Sequence, residues 1–173
     1  LRFYISGIQL CDKEKSVWME EQGFHLIDLF ESGSRTINLM VPINIQFNHI
    51  KFQLGIDSVT NVSGALGGDL DPTKGMYWTW QNGYINFKLE GTSNLCPTRN
   101  HEFQFHLGGY QFPANALQTV LINAIPAEKI NIQFDLKKFL EQVNLQVENQ
   151  VMSPGINAVL LSRKATLAFS AEK

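Results

Sequence analysis

Hydrophobic and polar residues alternate with a period of two along much of the chain, a pattern that predicts β-strands. The predicted strands are the opening segment 1–10 and the segments 24–28, 36–41, 43–54, 118–124 and 129–134. In the opening segment, alternation assigns the apolar side chains to two faces, with Leu1, Phe3 and Ile5 on one and Tyr4, Ile8 and Leu10 on the other.

Helical periodicity is confined to two short segments near the C-terminal end. Asp135 is suited to cap a helix in which Leu136, Phe139 and Leu140 share a face, and a second helix is predicted over Ile156–Lys164. The Gly-, Asp- and Ser-rich stretch 58–74 predicts a long loop. The sequence therefore predicts an all-β fold, an antiparallel β-sandwich of the immunoglobulin-like type with long loops and one or two short helices.

A length of 173 residues fits a single domain spanning 1–173. The chain begins inside a strand-like segment, so we expect residues to precede Leu1 that this sequence does not include. A net charge of -2 argues against a protein that binds nucleic acid electrostatically, because that function needs clustered Lys and Arg. The two cysteines, Cys11 and Cys96, could form a disulfide or remain two separate thiols, and the sequence leaves both open.

The densest aromatic segment is Gly75–Tyr84, which reads Gly-Met-Tyr-Trp-Thr-Trp-Gln-Asn-Gly-Tyr. On a continuous strand Met76, Trp78 and Trp80 would point to the same side. The two indoles then form either a packed layer of the core or an exposed surface for a ligand, and burial statistics favour the core.

A histidine followed by glycines is the second feature that could carry chemistry. His106 precedes Gly108-Gly109, and its parity is opposite to that of His101, so a regular strand cannot direct both rings at one metal. His25 and His49 could join a site through space, which the sequence cannot show. A lone histidine is more often structural than a ligand.

The motifs of the common enzyme classes are missing from the sequence. There is no Gly-x-Ser-x-Gly, phosphate-binding glycine loop, dinucleotide fingerprint or His-Glu-x-x-His, and no acid–base pair can be named. We therefore expect a non-catalytic protein.

Three segments carry a family resemblance: Leu-Arg-Phe-Tyr-Ile-Ser at 1–6, the aromatic segment 75–84 followed by Lys88-Leu-Glu, and Phe105-His-Leu-Gly-Gly109. In this order and spacing they resemble the MbnP-like family of bacterial extracytoplasmic proteins, which is related to the copper-binding proteins MopE and CorA. The resemblance covers most of the chain, from Leu1 to about Phe169. The sequence differs from copper-binding relatives at two places. Trp80 stands where those relatives have the histidine of a Trp-x-His motif beginning at Trp78, and Gly109-Tyr-Gln-Phe replaces a cysteine-containing segment.

The resemblance implies a mononuclear copper site in which histidine is joined by a tryptophan oxidised to kynurenine by a partner dihaem enzyme of the MauG type. Carried over by position, the metal site would comprise His106 with Trp78 or Trp80. It also implies a periplasmic, cell-surface or extracellular location, and one or two N-terminal strands that the domain lacks here.

Two functions remain as hypotheses from the sequence. The leading one is an extracytoplasmic, non-catalytic copper-binding protein. The rival is a β-sandwich module that binds a glycan or a protein partner through exposed aromatic rings, namely Trp78, Trp80, Tyr84 and Tyr110. Solvent exposure of the two indoles distinguishes them.

Overall fold

The computed structural model describes residues 1–172 and contains, within that range, eleven strands and three α-helices. The strands are β1 (Arg2–Asp12), β2 (Lys15–Met19), β3 (Phe24–Asp28), β4 (His49–Leu54), β5 (Tyr77–Trp78), β6 (Gly83–Thr92), β7 (Glu102–Gly108), β8 (Gln118–Asn123), β9 (Ile132–Phe134), β10 (Gln150–Val151) and β11 (Phe169–Ala171). The helices are α1 (Ser58–Val62), α2 (Leu136–Leu140) and α3 (Ile156–Thr166), and short 3-10 helices span Ser32–Arg35, Gly68–Leu70 and Pro72–Lys74.

The long strand β1 belongs to both halves of the main sheet. Its first residues pair with β3 on one side and β6 on the other, and β6 continues the sheet to β7 and β10. Its later residues pair with β2 and β4, and β4 continues to β8. All pairings are antiparallel except the short one between β10 and β7, and β9 and β11 form a separate small sheet. This is the predicted β-sandwich.

A bulge at Gly7 joins the two halves of β1. The register with β4 shifts between Ser6 and Gln9, and Gly7 adopts a positive φ of 55°, which glycine tolerates because it has no Cβ. The bulge inverts the alternation, so Ile8 and Leu10 join Phe3 and Ile5 in one core. The predicted placement of Ile8 and Leu10 on the face of Tyr4 is therefore wrong.

One hydrophobic core collects side chains from both halves of the sheet and from the C-terminal helices. Phe139 of α2 is fully buried, and its ring lies 5.5 Å from that of Phe87 and 6.3 Å from that of Phe105. Asp135 caps α2 by accepting a hydrogen bond from the Lys138 backbone N–H, as predicted. The second predicted helix is confirmed as α3, which buries Ala158 and Leu161 against this core.

Several predicted elements are wrong or shorter than expected. Residues 36–41 form no strand, and of the segment 43–54 only β4 is one. Met40 and Ile43 are 96% and 91% exposed, because nothing offers these segments a strand to pair with. Segment 129–134 contains only the three residues of β9, and the predicted loop 58–74 contains α1, capped by Asp57.

Both cysteines are buried free thiols, so the structure contains no bond between Cys11 and Cys96. Within residues 1–172, the helices are all too short or too polar to cross a membrane.

Candidate functional site

The hairpin β5–β6 separates the two tryptophans. Trp78 pairs with Gly83, and the four residues between them form the turn, in which Asn82 adopts a positive φ of 51°. Trp78 is 7% exposed and Trp80, which lies in the turn, is 65% exposed. The strand on which Trp78 and Trp80 would share a face ends at Trp78, so the continuous strand predicted through Trp80 is wrong. Their rings remain neighbours, with centroids 5.8 Å apart.

Trp78 packs over the end of β7. A Cβ added at Gly108 would lie 2.7 Å and 3.0 Å from Cζ3 and Cη2 of the Trp78 indole, so the missing side chain of Gly108 leaves the space that the ring fills. Gly108 and His106 are two positions apart on β7 and face the same side of the sheet. The structure thus brings Trp78 to the face of β7 that carries His106.

His106 is buried and hydrogen-bonded to a carboxylate. It is 8% exposed, and its Nε2 lies 2.7 Å from Oε1 of Glu90 on the adjacent strand β6. In the register of β6 and β7, His106 lies opposite Lys88 and Glu90 lies opposite Gln104. Glu90 is therefore displaced from His106 along β7 in the direction opposite to Gly108 and Trp78. As predicted, Phe103 and Phe105 lie on the other face, in the core.

Charged side chains cross this face of the sheet from strand to strand. Asp28 of β3 accepts from Nε of Arg2 at 2.7 Å, Arg2 lies opposite Lys88, and Lys88 Nζ is 3.9 Å from Oε1 of Glu90. His106 ends the series on β7. Arg2 and Lys88 are like charges at opposed positions of β1 and β6. Each lies beside its own carboxylate, Asp28 for Arg2 and Glu90 for Lys88, so this partly buried face holds its charges in pairs.

The environment of Glu90 favours its ionised form. The hydrogen bond from His106 lowers the pKa of the Glu90 carboxyl, partial burial opposes that change, and the positive charge of Lys88 adds to the lowering. A carboxylate that accepts from Nε2 holds the proton on that nitrogen, which leaves Nδ1 of a neutral imidazole with its lone pair. His106 thus has one nitrogen available as a metal donor.

The other histidines lie in different surroundings. His25 is bonded through Nε2 to both carboxylate oxygens of Glu20, at 2.9 and 3.0 Å. His101 has a positive φ of 56°, and its Nδ1 lies 3.0 Å from the backbone oxygen of Cys96. His49 contacts Asn48. Across the described range 1–172, no group of three or more His, Cys, Asp or Glu side chains could hold a metal ion.

The aromatic platform of the rival hypothesis is incomplete. Trp78 and Tyr84 are buried, Tyr110 is half-buried and Trp80 is exposed. Two of the four rings are therefore unavailable to a ligand.

Two residues important to this site were missed from the sequence. Glu90 is hydrogen-bonded to His106, sixteen residues later in the chain. The contact depends on the register of β6 against β7, and the loop between the two strands gives no indication of that register. Gly108 provides space for Trp78, and no pattern in the sequence indicates that role. The Asn82-Gly83 pair was a usable signal, because Asn-Gly favours a hairpin turn and would have ended the strand before Trp80.

Comparison with known proteins gives one match. A family model described as MbnP matches residues 1–153, which is most of the chain. No curated protein and no solved structure matches the chain. At the level of the family, the match supports a role in binding rather than catalysis, with metal as the class of ligand.

Proposed function

The chain belongs to the MbnP family, and on that premise we propose that it is a non-catalytic, extracytoplasmic protein that binds copper at His106. The observation that supports this choice of ligand is the Glu90–His106 hydrogen bond of 2.7 Å. Histidines that bind metals usually donate their second ring N–H to a carboxylate or carbonyl, which fixes the tautomer and the orientation of the ring. Imidazole is also a preferred ligand of copper.

The donor set present fits only part of a copper coordination sphere. His106 offers only Nδ1, because Glu90 is bonded to Nε2 on the other side of the ring and so supports the ligand rather than coordinating the same metal. Within residues 1–172, no group of three or more His, Cys, Asp or Glu side chains could hold a metal ion. Copper(II) prefers four donors in a tetragonal arrangement. We therefore expect the unmodified chain to bind copper weakly.

Oxidation of Trp78 would add a donor, because kynurenine carries an aromatic amine that indole lacks. Trp78 is favoured over Trp80 because it packs over Gly108 on the strand that carries His106. The oxidation would be carried out by a partner dihaem enzyme of the MauG type. Trp80, 65% exposed and 5.8 Å from Trp78, gives such a partner a surface beside the buried ring.

A copper titration of three proteins tests the role of His106: the wild type, His106→Ala and His25→Ala. His25 is the matched control because it also forms a histidine–glutamate pair, with Glu20, and lies on a different strand, β3. We expect His106→Ala to lose the tightest copper-binding event and its nitrogen hyperfine signal in electron paramagnetic resonance, and His25→Ala to retain both. Unchanged stoichiometry and spectrum in His106→Ala would exclude His106 as a ligand.

Mass spectrometry of the protein isolated from its native host tests the modification. Kynurenine replaces one carbon of tryptophan with one oxygen, and peptide fragmentation should place that change at Trp78. An unmodified Trp78 in protein isolated together with its bound metal would contradict the oxidised-donor proposal, while leaving His106 to be tested separately.

A gain of function provides the complementary test. Replacing Trp80 with histidine restores the Trp-x-His spacing of copper-binding relatives, at a position exposed enough to accept the change. We expect Trp80→His to bind copper more tightly than the wild type, and Trp80→Phe to show no gain. Equal affinity in all three proteins would show that position 80 cannot reach the metal bound at His106.

A further inference from the structure

A groove with a volume of 630 Å³ lies between the β5–β6 hairpin and the loop that follows β7. This volume is within the range of about 300–1,000 Å³ typical of pockets for small ligands. Its polar and aromatic lining comes from Asn61, Tyr77, Thr79, Asn82, Tyr110 and Gln111.

None of the residues that line the groove carries a charge. The lining offers two phenol rings, three carboxamides and one hydroxyl, together with small apolar surfaces. Phosphate, carboxylate or metal ligands are recognised through opposite charges, which this lining cannot provide. The groove therefore suits a neutral ligand that presents both hydroxyl groups and apolar C–H surfaces.

The polar groups at the rim are free to bind a ligand. Within residues 1–172, the side chains of Thr79, Asn82 and Gln111 form no hydrogen bond to the protein and are solvent-accessible. Carboxamides and hydroxyls can each donate and accept, so they match the hydroxyl groups of a sugar in either role.

The two tyrosine rings are held in place before any ligand arrives. Tyr77 packs edge-on against buried Tyr84, with ring centroids 4.9 Å apart. Tyr110 lies against the backbone of Gly83, where an added Cβ would be 3.1 Å from Cε1 of the ring, and its backbone oxygen accepts from Ser58 Oγ at 2.8 Å. Rigid rings bind a ligand with little further loss of conformational entropy.

The base of the groove is fixed by one buried amide. Asn61 is 2% exposed, and its Nδ2 donates to the backbone oxygens of Ile56 and Asp57. Its Oδ1 accepts from the backbone N–H of Tyr84 at 2.8 Å, which ties α1 to β6. The groove is thus a preformed feature of the fold.

We propose that this groove binds a neutral oligosaccharide, with a pyranose ring placed on Tyr110 and its hydroxyls bonded to Asn82 and Gln111. The proposal is independent of the copper site, since the groove contains neither His106 nor Trp78.

Isothermal titration calorimetry with cellohexaose, mannohexaose and hexa-N-acetylchitohexaose tests the proposal, with hexagalacturonate as the acidic probe. Nuclear magnetic resonance should locate the site through shifts of the Asn82 and Gln111 side-chain amides. Tyr110→Ala should weaken binding at least tenfold, which corresponds to about 1.4 kcal/mol. Asn82→Gly should weaken it several-fold without disturbing the turn, because glycine tolerates the positive φ.

Matched controls separate this site from other surfaces. Phe30→Ala removes an aromatic ring that is 83% exposed and lies outside the groove, and should leave saccharide affinity unchanged. His106→Ala should bind saccharide like the wild type. The proposal is overturned if none of the three neutral probes binds, if hexagalacturonate binds as well as they do, or if folded Tyr110→Ala keeps the wild-type affinity.

Discussion

Replacing Gly108 with alanine tests the packing of Trp78 most directly. The added Cβ would lie 2.5 Å from the backbone oxygen of Tyr84 and 2.7 Å from Cζ3 of Trp78. Ordinary contacts of this kind begin at 3.4 Å, so both atoms would have to retreat by most of an ångström. The indole can tilt, but the Tyr84 oxygen belongs to the backbone of β6 and can move only with that strand.

The expected cost follows from these contacts. Overpacking a well-filled site costs about 1–3 kcal/mol, and a clash with backbone places Gly108→Ala near the upper end, at about 3 kcal/mol. For a domain of this size, each kcal/mol lowers the melting temperature by roughly 2–4 °C, so the loss should be roughly 6–12 °C.

Chemical denaturation monitored by tryptophan fluorescence provides the measurement. Gly67→Ala is the control, because no atom lies within 4 Å of a Cβ built there and its φ is -96°. We expect the control to stay within about 0.5 kcal/mol of the wild type. Gly108→Ala should unfold earlier and show altered near-ultraviolet dichroism from the moved Trp78. If Gly108→Ala were as stable as Gly67→Ala and spectrally unchanged, Trp78 would not lie over Gly108.

Two further predictions concern ionisation and the core. The hydrogen bond from His106 lowers the pKa of Glu90, so the stability that the ionised carboxylate contributes is fully present above its ordinary pKa of 4.5 and is lost as the pH falls through the lower folded-state pKa. Glu90→Gln should remove this pH dependence. Parallel curves of unfolding free energy for the two proteins between pH 7 and pH 3 would refute the prediction. Phe139→Ala should lower the free energy of unfolding by about 3–5 kcal/mol, because the ring is fully buried among other aromatic rings, and a loss below 1 kcal/mol in urea denaturation would contradict that packing.

The elements predicted correctly are those whose signals are local. Strand β8 and helix α2 each carry a complete signature in a few residues, as alternation in β8 and as the Asp135 cap in α2. Segment 36–41 also alternates, yet it forms no strand, because a strand needs a neighbour to complete its backbone hydrogen bonds. Whether such a neighbour exists depends on the sheet as a whole, which no local pattern reports.

The candidate site shows the same limit. The side chains of His106 and Phe105 lie on opposite faces of the sheet, as the alternation along β7 predicts. The Glu90–His106 bond depends on the register of β6 against β7, and the bulge between Ile85 and Phe87 shifts that register within the pairing itself. Trp78 can approach β7 because Gly108 has no side chain. A search of the sequence for functional side chains does not consider such a position.

One short hairpin positions both proposed sites. Trp78 and Tyr77 are adjacent in β5. Trp78 packs over Gly108 on the strand of His106, and Tyr77 lines the groove. Two ligands bound beside a rigid hairpin need not influence each other, whereas a hairpin that shifts when one binds would link their affinities equally in both directions. Two hydrogen bonds that hold this hairpin, from the Tyr84 N–H to Asn61 Oδ1 and from the Tyr84 hydroxyl to Leu70 O, favour the rigid case. Copper affinity measured with and without a bound saccharide should then be the same.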